Sequence, residues 1–148
     1  MAINTSKVVV GGLAAGLLLN VFGFLVFGML LRSRMEAEMV AAAPTLQGKG
    51  MGGGAIAAQV ITQFIVGILI VWLYAAMRPR FGPGMATARK AAFVVWLCGL
   101  LFYQDWLHLG MMSMASYAMI SVLQVIALLA AAWVGGRLYS EEGAPSMA

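Results

Sequence analysis

Asp105 and His108 are the residues of this chain best suited to chemistry. They stand three apart in the stretch YQDWLH, and Gln104 stands four before His108. On a helix those spacings put all three on one flank. His108 is the sole histidine. Imidazole titrates near neutral pH, so an Asp–His pair could relay protons or sense pH. Two such ligands fall short of the three or four that a zinc site uses. Met111, Met112 and Met114 follow closely, and thioether with imidazole is soft enough for Cu(I). No spacing fixes a ligand set there, and twelve methionines also suit flexible apolar packing. No nucleophile stands in a motif that the histidine could serve as base, and carboxylates are too sparse for a dyad. No catalytic residue and no cofactor is therefore expected.

The elements that must hold these residues follow from composition. The chain has 148 residues, of which 63% are hydrophobic and 9% charged. Mean hydropathy is +0.95. A soluble domain carries roughly 25% charged residues, and a fold of this size in water could not hide so much apolar surface. The expected class is an all-α polytopic membrane protein, with 1–148 forming a single membrane domain. Four stretches can each supply the ~20 residues that cross a bilayer. Backbone groups in lipid must pair within the segment, so each is a helix. The expected helices run over about 7–40, 55–78, 86–109 and 113–138. A Gly-rich linker at 44–54 joins the first pair, and a basic loop at 79–85 joins the second. Pro79 is expected to stop the second helix, and Thr87 to cap the third. The first apolar run is too long for a signal-peptide core, so it is read as an uncleaved helix.

Lys and Arg counts in short loops set orientation. Lys7, Arg78, Arg80, Arg89, Lys90 and Arg137 share one side, against Arg32, Arg34 and Lys49 on the other. That favours both termini inside. Arg80 and Arg89 read as topology signals, and no basic stripe interleaved with aromatics suggests nucleic acid. Cys98 lies in an apolar run and reads as a small hydrophobe.

Polar and small residues mark the helix faces. Gly12, Gly16, Asn20 and Gly23 share one face of the first helix, where a neighbour could approach closely. Gln59, Gln63 and Gly67 share a face of the second, with Thr62 beside them. Gln124, Ala131 and Gly135 do so in the fourth. Gln63 and Trp72 are nine apart, as are Gln124 and Trp133, which is consistent with two repeated helical hairpins. On this threading Asp105, His108 and Gln104 lie near the outer surface, level with Gln59 and Gln63. Two readings stay open. The acid and imidazole finish a helix at the water's edge, beside belt aromatics Tyr103 and Trp106. Otherwise they line a polar pocket with Gln104, Gln59, Gln63 and Asn20, since acids inside membranes usually pair or line a wet path.

The hairpin WLYAAMRPRFGPG, Trp72 to Gly84, resembles a segment of small bacterial four-helix integral membrane proteins of unassigned activity. The likeness is strongest in that hairpin. It implies a four-helix fold and the inner membrane of a bacterium, and it brings no catalytic residue. The function expected is a non-catalytic bundle or accessory membrane component. Its partners would be the lipid bilayer and a second copy or another membrane protein. The alternatives are a small proton-linked transporter using the Asp/His/Gln pocket and, more remotely, copper handling by Met and His.

Overall fold

A computed structural model describes residues 3–48 and 52–140, apart from the side chain of Leu46. The described residues form an all-α protein. Its α-helices are α1 (Thr5–Gly23), α2 (Arg32–Ala42), α3 (Gly53–Phe81), α4 (Met85–His108) and α5 (Met114–Leu138). A π-helical segment, Phe24–Leu30, extends α1. Among the described residues, four helices are long and apolar enough to cross a membrane: Thr5–Leu30, Gly53–Phe81, Met85–His108 and Met114–Leu138. By length and composition the chain is a multi-pass membrane protein.

Small residues set how closely the spans approach. A Cβ built on Gly12 would meet Ile68 Cα at 2.5 Å, and one on Gly16 would meet Phe64 Cα at 2.7 Å. From the other side, a Cβ on Gly67 would strike the Gly12 carbonyl and the Gly16 amide nitrogen. Backbone therefore lies on backbone along the α1–α3 seam. Gly11, one residue off that stripe, meets α5 as well, where an added Cβ would stand 2.6 Å from Gly135 O and 3.3 Å from Val71 Cγ1 of α3. Around these seams Ala15, Ile70, Val71, Ala91 and Ala131 form a fully buried core.

Several boundaries differ from those expected. The first helix does not run on to 40. It passes into π geometry at Phe24, where the Leu31 amide donates to Val26 O, five residues back, at 2.7 Å. Leu31 then leaves helical angles (φ −103°, ψ 2°), and α2 starts afresh. Pro79 does not stop α3, which ends at Phe81. Pro79 leaves the Ala75 carbonyl without its helical N–H partner, and the helix continues only two residues beyond it. Gly82, at φ +79°, closes the helix with an N–H bond to Arg78 O of 2.8 Å. Thr87 does not cap α4. Its hydroxyl donates back to Gly82 O at 2.7 Å, fastening the turn, and Gly84 occupies the cap. Linker residues 49–51, including Lys49, lie outside the described residues.

The two ends of the bundle are held differently. At the turn end, Arg78 is 5% exposed, and its guanidinium lies 5.8 Å from the Tyr74 ring centroid and 5.3 Å from that of Tyr139. The Tyr74 hydroxyl accepts from Gly84 N–H at 3.2 Å, and that of Tyr139 from Asn4 N–H at 3.3 Å. At the far end, α2 folds against the start of α5. The hydroxyls of Ser113 and Ser116 each donate to Glu38 Oε1 at 2.6 Å, and Ser113 N–H donates to Oε2 at 3.3 Å. Arg34 Nε donates to Ser116 Oγ at 2.7 Å. Beneath them Val26, Leu31, Met112 and Ile120 form a second apolar cluster.

Candidate functional site: a polar crevice between splayed helices

The buried residues of α3 run from Gly67 to Arg78, and those of α4 from Thr87 to Ala92. Both sets adjoin the turn at 82–84. Beyond them, no residue of 53–66 or 93–108 is buried. The α3–α4 hairpin is thus packed at its turn and splayed at the far end. The sequence contributes to this asymmetry: small Thr87, Ala88, Ala91 and Ala92 allow close approach, whereas Phe93, Leu97, Leu101 and Phe102 project outward.

The splay leaves a cavity of about 250 Å³ between the four spans. Gln59, Thr62 and Gln63 enter it from α3, Trp96, Gly99 and Tyr103 from α4, and Gln124 from α5. Leu19, Phe22 and Phe27 line it from the first span, next to the π-helical segment. The Trp96 indole donates to Ser121 O at 2.9 Å, which fixes that wall to α5. Among the described residues, the side-chain amides of Gln59, Gln63 and Gln124 make no hydrogen bond. The cavity offers neutral donors and acceptors on an apolar wall, with Tyr103 the only ionisable group among its described lining residues. That chemistry suits hydrogen bonding to an uncharged partner and is poorly suited to proton transfer at neutral pH.

Of the residues expected to form a polar pocket, Gln59 and Gln63 line this cavity. Gln104, Asp105 and His108 do not. All three are exposed on the outside of the last turns of α4. Tyr103, one residue before Gln104, is the member of that stretch which reaches the cavity, because it lies on the opposite side of α4 from the exposed flank. Asn20 also stays outside. Its amide donates to Gly16 O at 2.9 Å and to Val60 O at 3.3 Å, so it fastens α1 to α3. Gln124, read in the sequence as part of a packing face, is the residue that adds a third carboxamide.

The methionine-rich stretch is dispersed. Met112 is buried in the far-end apolar cluster, whereas Met114 and His108 are exposed and Met111 is half-buried. Among the described residues no three His, Cys, Asp or Glu side chains gather as a metal site. Among the described acids, Glu38 has the densest set of partners. Desolvation pushes its carboxyl up, but the Ser113 and Ser116 hydroxyls, the Ser113 amide and the Arg34 charge outweigh this. Together they hold it below its ordinary 4.5. A serine three residues after another at a helix start is the sequence signal for this cap. Glu38 itself could be found only once α2 had folded back.

Comparison of the chain with family models, with curated proteins and with solved structures finds no match.

Proposed function

We propose that this is a non-catalytic membrane component that assembles with a second copy of itself through the splayed α3–α4 face. One observation carries the reading: three carboxamides face a crevice without a hydrogen-bond partner among the described residues. Polar side chains at membrane depth favour partners across a helix contact. A carboxamide both donates and accepts, so the same face on two copies is self-complementary, as a two-fold dimer requires. The cavity is smaller than the ~300 Å³ at which drug-sized ligand pockets begin, but it has room for a side chain.

The bundle sits in a bacterial inner membrane with both termini inside. Support for this comes from the basic residues of the turn end and from the likeness of the Trp72–Gly84 hairpin to small bacterial membrane proteins. A label on the C-terminus that reports from the periplasm would overturn the orientation.

Single-molecule photobleaching in liposomes tests the assembly. The wild-type chain is expected to pair, and Gln63→Leu with Gln124→Leu to weaken pairing about ten-fold, at ~0.6 kcal/mol per lost bond. A chain that stays monomeric at every protein-to-lipid ratio refutes the proposal. A second reading, a small transporter, draws on the polarity of the same crevice. It requires water at position 63. In a Cys98→Ser background, a cysteine there that ignores aqueous thiol reagents from both sides of the membrane would exclude it.

A further inference from the structure

Nearer the turn, a shallow groove of about 620 Å³ is lined by α3, α4 and α5. Its walls and floor are apolar, with Met77, Phe93 and Leu129 among them. Its polar groups sit at the head, where Arg89 and Lys90 are both exposed. Lys90 Nζ lies 4.0 Å from the Phe81 ring centroid, so the cation is held over the mouth of the groove. The acids among the described residues are Glu36, Glu38 and Asp105, none of them near this head. Arg89 and Lys90 are in the second turn of a 24-residue helix. At 1.5 Å per residue that helix exceeds the ~30 Å hydrocarbon core, which puts both cations within reach of the headgroups.

We propose that this groove is a binding site for an anionic phospholipid, with its phosphate on Arg89 and Lys90 and an acyl chain along the trough. Basic pockets between transmembrane helices bind anionic headgroups in this way. A guanidinium offers a fork of donors to phosphate, and the neighbouring ammonium adds a point charge. A second copy is a poor occupant, because a two-fold pairing of this face would bring its own Arg89 and Lys90 against these. The site is independent of the carboxamide crevice.

The test is titration of the full chain, in a neutral detergent, with phosphatidylglycerol or phosphatidylcholine, read by native mass spectrometry. The wild type should prefer phosphatidylglycerol. Arg89→Gln with Lys90→Gln should weaken that lipid roughly ten- to thirty-fold and leave phosphatidylcholine unchanged. Arg80→Gln with Arg137→Gln removes the same charge from outside the groove and should leave phosphatidylglycerol affinity within two-fold. Val125→Trp fills the trough without changing charge and should lower phosphatidylglycerol binding. Equal losses in the two charge variants, equal affinity for the two lipids, or dimers cross-linked through position 94 would each overturn the proposal.

Discussion

Gly67→Ala adds one methyl group where the α1–α3 seam has no space for it. The new Cβ would stand 2.8 Å from Gly16 Cα, with the Gly12 carbonyl and Gly16 amide nitrogen nearer still. Carbon atoms in contact prefer about 3.5–4.0 Å, so α1 must retreat by roughly 1 Å. The obstacle is backbone on both sides, and no rotamer change can relieve it. Overpacking of this kind costs about 1–3 kcal/mol. Replacing glycine within a helix returns up to ~1 kcal/mol of propensity. The net expectation is a loss of about 1–2 kcal/mol for Gly67→Ala, and more for Gly67→Val. Gly99→Ala is the control, since a Cβ there has nothing within 4 Å; it should be neutral or stabilising. Reversible unfolding in mixed micelles, followed by helicity, gives both values. If Gly67→Ala and Gly99→Ala agree within about 0.5 kcal/mol, close backbone approach does not hold this bundle together.

Other expectations concern the two ends. The Glu38 carboxyl is lowered in the folded protein, so its contribution is complete above the ordinary value of 4.5 and fades as pH falls through the folded value. Protection of the 32–42 amides, taken relative to their intrinsic exchange rates at each pH, should therefore fall only in acid, and Glu38→Gln should lower it at neutral pH. Arg78→Lys keeps the charge but loses the planar contact with Tyr74 and Tyr139, and should lower stability by about 1–2 kcal/mol in the same unfolding measurement. Asp105→Asn with His108→Ala changes exposed side chains and should shift stability by less than about 0.5 kcal/mol; a loss above 2 kcal/mol would mean that they are packed after all.

The small-residue stripe was legible because glycines four apart on an apolar helix have few uses other than close contact. Gly12, Gly16 and Gly67 meet as that pattern implies. The π-helical segment was not legible. FLVFGML carries no proline or glycine pair to mark a change of helical form, and only the Leu31–Val26 bond reveals it. Arg78 counted as a topology signal, since sequence cannot say that a loop-side cation is covered by rings. Tyr74 four residues earlier is the half of the cage that helical spacing could supply; Tyr139 comes from the far end of the chain. Gln59 and Gln63 were placed by periodicity. Asp105 and His108 were singled out for their chemistry, and Tyr103 for its fit to an aromatic belt. The direction in which α4 turns sends Tyr103 inward and the other two out. That rotation depends on how the hairpin splays, which no local pattern encodes.

The hydrogen bond from Asn4 to Tyr139 spans 135 positions of sequence, and this has a bearing on how the protein is made. During synthesis the first span enters the bilayer long before its α5 neighbour leaves the ribosome. Through that interval the face around Gly11 lacks its Gly135 neighbour and has only Val71 of α3 beside it, and Arg78 lacks one of its two aromatic neighbours. The α1–α3 seam can form early; closure of the ring of spans must wait for the last one. Chains released short of residue 139 should therefore hold a formed α1–α3 pair in the membrane while remaining open at the turn end.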